Sequence, residues 1–480
     1  MSWETVIGLE VHVELSTKTK MFCSCPASFG AQPNTLCCPV CMGMPGALPT
    51  VNSLAVEYAV MAGLALNCTV SEYSRFDRKN YFYPDLPKAY QISQLYHPLC
   101  TDGFVEIEVN GQKKKIRIKE IHMEEDAGKL FHSDDTGETK IDFNRCGIPL
   151  IEIVSHADMS NDEEVTAYLE KLKLILEYLG VSTCKMQEGA LRADINLSVR
   201  RRGDSELGIR TEMKNMNSFK EIRRAVKSES ERQIAVIENG GVIVQETRRW
   251  DEEKGVSVSM RGKENAHDYR YFPEPDIPPV ILEREYIERI RGDIPALAHE
   301  RAERYVEELS IPAADARIIT SQRALADFFD QVCDACNNIR MASNLIVTEV
   351  VRLLKDSGKQ AAEMTLKPEK LSLIISLADK GDINAGTAKR LIAAAFEQDI
   401  DVLDYIRVNS LEQINDPILI SRVAQEVVAD NPKSLADYMS GKKKAYGFLV
   451  GRVMEKFDFR ANPSRVNECL TKILDEKTGA

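Results

Sequence analysis

The chain has 480 residues, 44% of them hydrophobic and 28% charged, with a formal net charge of −12. This is the composition of an ordinary globular protein, with room for roughly two to four domains at about 150 residues each, and no apolar run reaches the roughly 18 residues that cross a bilayer. The acidic balance excludes a general nucleic-acid-coating protein, and the opening MSWETVIGLE has no basic patch followed by an apolar core, so the expected location is the cytoplasm.

The first predicted element is a strand, TVIGLEVHVEL. At period two, Ile7, Leu9, Val11, Val13 and Leu15 share one face, and Gly8, Glu10, His12 and Glu14 share the other. The apolar face requires a core, and the polar face turns hard metal ligands toward solvent. The strand runs into Cys23-x-Cys25, followed after twelve intervening residues by Cys38-x-x-Cys41, with Cys37 adjacent. Two cysteine pairs around a Pro/Asn/Gly loop suit one tetrahedral zinc; free thiols or a redox pair are the alternatives. The loop RFDRKNYFYPDLPKAYQIS sets Arg, Lys, Asn and Tyr around two prolines. Such a loop clamps phosphate or a base by charge and stacking, or packs as a surface loop.

FVEIEVNGQKKKIRIKEIHMEED is a predicted hairpin about Asn110-Gly111, ending in His122, Glu124, Glu125 and Asp126. In IDFNRCGIPLIEIVS, Glu152 interrupts an apolar run, which is costly unless the carboxylate is paired or bound to a cation. A helix follows: Ser160 and Glu163 form a capping box, Val165, Tyr168, Leu169, Leu172, Ile175, Leu176 and Leu179 line one face, and Gly180 ends it. LRADINLSVRRRGD alternates again, with Asp194 on the outward face, and GIRTEMKNMNSF brings Glu212, Lys214 and Asn215 together. Strands in hairpins with occasional helices predict an α+β fold with an antiparallel sheet over residues 1–290. Carboxylates with one imidazole, on strands that share a sheet, favour Mg²⁺ or Mn²⁺ over zinc. Unrelated solvated strand faces are the alternative.

YFPEPDIPPV holds four prolines between positions 273 and 279 and reads as a rigid extended segment. Beyond it the pattern is helical, with a helical domain over 291–405 and a small helical tail over 406–480. From Gly441 to Ala480 nine Lys/Arg face five Asp/Glu, a basic end suited to local RNA contact or to a solvated surface. Cys333-x-x-Cys336 reads as two core cysteines on a helix. No GxxxxGK[ST] phosphate loop occurs, so any nucleotide is held another way.

GLEVHVEL, FDRKNYFYPDLPKAYQIS, HMEEDAGK, NRCGIPLIEI, KNMNSF and DYRYFPEPDIPP, in that order, resemble signature segments of the B subunit of aspartyl/glutamyl-tRNA amidotransferases. The tail GKKKAYGFLVGRVME resembles that family's C-terminal tRNA-contacting module, so the resemblance spans essentially the whole chain. It implies a ligase that uses ATP to phosphorylate the side-chain carboxylate of Glu-tRNA(Gln) or Asp-tRNA(Asn). Ammonia from an amidase A subunit then gives the amide, and a small C subunit completes a heterotrimer. It implies a glutamine synthetase-like catalytic domain. It assigns Glu10, His12, Glu125 and Glu152 to catalysis and Mg²⁺, with Asp194 and Glu212 as further ligands. ATP is expected on Lys79, Asn80, Tyr83, Lys88, Lys214 and Asn215, and a structural zinc on Cys23, Cys25, Cys38 and Cys41. At one point it conflicts with alternation: period two places Glu124, not Glu125, on the His122 face, and a bend at EED would reconcile the two. A metal-dependent hydrolase acting alone and a non-catalytic tRNA-binding scaffold are the competing classes.

Overall fold

A computed structural model describes residues 2–133, 135–262 and 269–478 of the chain, an α+β protein that divides into two compact units, Met1–Leu297 and Ala298–Ala480. The first unit is built on a nine-stranded sheet. Its strands are β1 (Trp3–Glu14), β2 (Thr69–Val70), β3 (Cys100–Val109), β4 (Gln112–Glu125), β5 (Pro149–Ser155), β6 (Leu191–Arg201), β7 (Thr211–Lys214), β8 (Glu246–Asp251) and β9 (Val256–Gly262). They lie in the order β9-β8-β7-β6-β1-β5-β4-β3-β2, antiparallel except for the β7–β8 pair. The first strand of the chain is thus the middle strand of the sheet.

Alternation fixes which face looks where. Ile7, Leu9, Val11 and Val13 are completely buried, as are Ile121 and Met123 on β4 and Ile195 and Leu197 on β6. Each such side chain contributes about 1.5–3 kcal/mol of burial. Helices α1 (Ser53–Ala65), α2 (Asp162–Leu179) and α3 (Phe219–Glu238) complete this layer, with α2 against β3 and α3 against β6. The hairpin between β3 and β4 turns at Asn110-Gly111, both with positive φ, 52° and 74°, as a tight two-residue hairpin turn demands.

In α2 the apolar face is buried as the pattern predicts, and Gly180 closes the helix in the left-handed conformation, φ 73°. The cap lies one residue later than expected, and the expected capping box does not form. Asn161 is the cap and accepts from the Glu164 amide, while Glu164 Oε2 accepts from the backbone amide and hydroxyl of Ser160 at 2.8 and 3.0 Å. Asn caps as well as Ser, and the glutamate three residues beyond Asn161 is Glu164.

The proline segment is extended but not free. Phe272–Pro273 pairs at the edge of the short Asp77–Asn80 strand, which in turn pairs with Tyr90–Ser93, and Val280–Ile281 pairs with Tyr73–Ser74. Arg78 grips the segment with two bonds to Glu274, 2.6 and 2.9 Å, and one to Asp276, 3.0 Å. Asp268, the first residue of the DYRYFPEPDIPP segment, lies outside the described residues.

The second unit is helical and holds two hydrophobic cores, one formed by residues from Tyr305 to Ile406 and one by residues from Ile420 to Leu474. Cys333 and Cys336 pack partly buried against the first, although the helix Arg323–Ala335 ends one residue before Cys336. Gly479 and Ala480, the end of the basic tail, lie outside the described residues. No helix among the described residues is long and apolar enough to cross a membrane.

Candidate active site

The polar face of the sheet opens into a cleft of about 600 Å³. Antiparallel register brings its ligands together. His12 on β1 lies opposite Glu152 on β5, and Glu152 lies opposite His122 on β4. Glu124, two residues beyond His122, shares their face. His12 Nε2 is 3.6 Å from Glu124 Oε1 and 3.7 Å from Glu152 Oε2. On the other side of β1, Glu10 lies opposite Asp194, and β7 adds Glu212. This face therefore carries two adjoining groups, His12–Glu124–Glu152 and Glu10–Asp194–Glu212, and all of them except the buried Glu124 line the cleft. Within each, one ligand atom per residue lies within 4.8 Å of the others.

Glu125, which the motif assigns to the metal, is not in this cleft. A strand that presents Glu124 on one face must present Glu125 on the other, and no bend intervenes before β4 ends. Glu125 is buried, pairs with Lys88 and accepts the Ile92 amide at 3.0 Å. This corrects two assignments together, since Lys88 is committed to Glu125. Of the other nucleotide candidates, Lys79, Tyr83 and Lys214 line the cleft. Asn80 and Asn215 do not: Asn80 Nδ2 donates to Arg270 O at 2.9 Å and Asn215 Nδ2 to Trp250 O at 3.3 Å.

Several lining residues were not expected from the sequence. Tyr81, Phe82, Tyr269 and Tyr271 join Tyr83 as an aromatic wall, and Arg210, Gln245 and Thr247 stand on the side of β7 and β8. Phe82 and Tyr83 are 76% and 50% exposed. Lys79 Nζ lies 5.0 Å from the Tyr269 ring centroid, within cation–π range. The repeated Tyr and Phe of FDRKNYFYPD and DYRYFPEP were visible in the sequence, but their convergence comes from the pairing of Phe272–Pro273 with Asp77–Asn80.

The electrostatics mark a site short of cations. Burial, then the charges of Glu152, Glu212 and Asp194, push the Glu10 carboxyl up. Burial and Glu152 do the same to Glu124. Burial works against a charged His122, yet Glu152 and Glu124 outweigh it and lift the imidazole to about 9. Its Nε2 is 2.9 Å from Glu152 Oε2 and its Nδ1 is 2.6 Å from Gln94 O, which orients the ring. Glu152 in turn is held below the usual carboxylate range, because His122 and His12 outweigh its burial. Lys214 bridges Asp194 and Glu212. Carboxylates that raise one another's pKa at short range, with a histidine among them, fit hard divalent cations.

The loop after β1 gathers Cys23, Cys25, Cys38 and Cys41, whose sulfurs all lie within 4.8 Å of one another. Cys37 is not of this group; its sulfur faces Asn144 Oδ1 at 3.9 Å. Four thiols with C-x-C and C-x-x-C spacing fit a closed tetrahedral zinc site.

Comparison with known proteins agrees with this architecture. Residues 5–288 match the family described as the GatB/GatE catalytic domain, and residues 327–474 match the GatB domain. The chain is 53% identical over 479 residues to the B subunit of the aspartyl/glutamyl-tRNA(Asn/Gln) amidotransferase of Caldicellulosiruptor saccharolyticus, covering 99% of this chain and 100% of that one. It is 53% identical over 474 residues to the B subunit of the Lachnoclostridium phytofermentans enzyme, covering 99% of each. It is 51% identical over 476 residues to that of Thermoanaerobacter pseudethanolicus, covering 99% and 100%. With both family domains matched and such relatives aligned from end to end, the chain belongs to the family of B subunits of aspartyl/glutamyl-tRNA(Asn/Gln) amidotransferases.

Proposed function

We propose that this chain uses ATP to activate the side-chain carboxylate of glutamate or aspartate misattached to tRNA(Gln) or tRNA(Asn), and converts it to the amide with ammonia made on a separate glutaminase chain. The observation that carries this reading is the pair of adjoining hard-ligand groups on one sheet face, open to a cleft large enough for a nucleotide and an aminoacyl end. The reaction forms one bond from the substrate carboxylate oxygen to the γ-phosphorus and releases ADP. Ammonia nitrogen then attacks the acyl carbon, phosphate leaves with the bridging oxygen, and a proton is lost.

His12, Glu124 and Glu152, with Glu10, Asp194 and Glu212, are the proposed Mg²⁺ or Mn²⁺ ligands. Bound there, divalent cations neutralise the charge that builds up when a carboxylate approaches a triphosphate. Lys79 and Arg210 supply positive charge from the cleft walls, and the exposed rings of Phe82 and Tyr83 offer faces on which a base stacks. His122 orients Glu152. Cys23, Cys25, Cys38 and Cys41 are assigned a structural zinc. The basic end of the second unit is assigned to the tRNA body, and the working enzyme to a cytoplasmic heterotrimer with A (amidase) and small C subunits.

An amidation assay with both misacylated tRNAs, with and without partner chains, tests this. The complex is expected to release phosphate from ATP in a tRNA-dependent way, and to form amide from an ammonium salt when glutaminase activity is blocked. Hydrolysis of the aminoacyl-tRNA by the isolated chain without ATP would favour a hydrolase instead. Full amidation by a Glu10→Ala or Glu152→Ala complex would favour a scaffold.

A further inference from the structure

Lys20 follows β1 and is completely buried. Its ammonium makes two contacts: Nζ donates to the Leu36 carbonyl at 2.7 Å and lies 3.7 Å from Cys41 Sγ. Among the described residues no carboxylate oxygen comes within ion-pair distance of it; nearby Glu125 is paired with Lys88. A buried, unpaired ammonium costs several kcal/mol, and one carbonyl does not offset it. The surroundings nevertheless hold Lys20 in place. Its amide donates to Cys25 O at 3.0 Å, and the Met21 amide donates to Gly147 O at 2.7 Å. Gly147 has φ +83°, and a Cβ there would stand 3.5 Å from both the Lys20 Cδ and the Cys41 Cβ, so the two side chains are packed together under it.

The missing counter-charge is found in the cysteine group. Four thiolates around one Zn²⁺ carry a net charge of −2, and a cation beside one sulfur offsets half of it. The sulfur that Lys20 faces also accepts the Cys38 amide at 3.1 Å. Donors aimed at a metal-bound sulfur are the outer support that metal sites use to hold their ligands. Resting on the zinc reading above, we propose that Lys20 is the built-in counter-charge of the four-cysteine site, a positioning residue whose buried ammonium is stabilised by the zinc-bound thiolates and in return tightens zinc binding.

The test compares full-length wild type with Lys20→Met, Lys20→Gln and Lys20→Arg, all purified under reducing conditions. Zinc content, zinc affinity by chelator competition, and denaturant midpoints with and without zinc are measured. Wild type should hold one zinc. Lys20→Met and Lys20→Gln should bind zinc about ten- to a hundredfold more weakly, the range for lost outer support. Lys20→Arg, which keeps the charge, should recover most of the affinity. Without zinc the order should invert, with Lys20→Met and Lys20→Gln at least as stable as wild type, because the unpaired charge is gone. Gln retains a donor for Leu36 O, so wild-type affinity in Lys20→Gln with loss only in Lys20→Met would overturn the inference in favour of that hydrogen bond. Unchanged affinity in both would overturn it outright. If Lys20→Met does not fold, Lys20→Gln decides. A wild type without zinc would instead overturn the zinc reading itself.

Discussion

The two ligand groups of the cleft and the four-cysteine group hold their ligands in opposite ways. The cleft ligands stand on β1, β4, β5, β6 and β7, positioned by a hydrogen-bonded ladder that exists without any metal. The cysteines stand on a loop between β1 and α1 with little regular structure of its own, pinned at a few points such as Leu36 to Asn144. Strand-held ligands repel one another inside a preformed frame, so they spend stability to keep a site ready. The loop-held cysteines lack such a ladder, and under the proposed zinc reading the metal completes their frame.

The largest expected effect follows on the strand side. Glu10→Ala, Glu124→Gln and Glu152→Ala should each lower ATP-dependent amidation by at least about a thousandfold, roughly 4 kcal/mol of barrier. Glutamine hydrolysis by the complex and circular dichroism should stay near wild type. Glu125→Gln should behave differently, because it strands the buried Lys88 ammonium: about 3 kcal/mol of stability lost in denaturant titration, with Mn²⁺ binding to the cleft intact. Equal loss of metal from Glu124→Gln and Glu125→Gln would break the face assignment.

On the loop side, Cys38→Ser or zinc chelation should open residues 23–41 to limited proteolysis and lower the midpoint of thermal unfolding. The number of Mn²⁺ ions bound in the cleft should not change. Parallel loss of both metals would break the contrast.

The frame itself can be weakened from behind. Glu229 on α3 is completely buried and accepts from Thr211 at 2.9 Å on β7, from Ser257 at 2.6 Å on β9 and from Arg232 at 2.7 and 2.9 Å. Burial opposes its charge, but the bonds from Arg232, Ser257 and Gln233 win and hold its carboxyl below the ordinary value. A depressed folded value means stability that is present above the unfolded range and lost as pH falls through the folded one. Wild type should therefore lose stability below about pH 4. Glu229→Gln should cost up to about 3 kcal/mol at neutral pH and show a flatter acid limb in denaturant titrations.

The smallest effect belongs to a region with charge and, among the described residues, no metal group. Replacing Lys442, Lys443 and Lys444 together by Glu should raise the apparent KM for misacylated tRNA about tenfold at low salt, and flatten the log–log salt dependence by up to about 3. Tail-independent glutaminase activity should not move. Unchanged tRNA affinity across a salt series would mark the tail as a solvated surface.

Much of the cleft was legible because period-two alternation is local. Glu10, His12, Glu152 and Asp194 sit on the faces that their neighbours dictate. Glu124 was legible on the same ground: alternation puts it on the His122 face, where it stands near His12 and Glu152, and puts the motif's Glu125 on the other. What stayed illegible is tertiary. No local pattern states that β1 lies between β5 and β6, or that Tyr269 and Tyr271 return beside Lys79. Lys20 gives no local sign either, since a lysine before Met21-Phe22 reads as a surface residue until the loop closes over it. Lys88 and Asn80 stand outside the cleft for a related reason: a polar loop spends some of its polar groups on holding itself together.

The central place of β1 also bears on synthesis. Its two edges pair with residues 149–155 and Met159 on one side and with residues 191–201 on the other, so the segment bearing Glu10 and His12 leaves the ribosome long before either neighbour exists. At about 5–20 residues per second, the second edge waits roughly 10–40 seconds. During that interval an alternating apolar strand is open on both sides, and Glu4, Glu10 and Glu14 are the charges along it that discourage pairing with another nascent chain. Glu10, which later lines the cleft, thus first serves as a guard of an unfinished sheet.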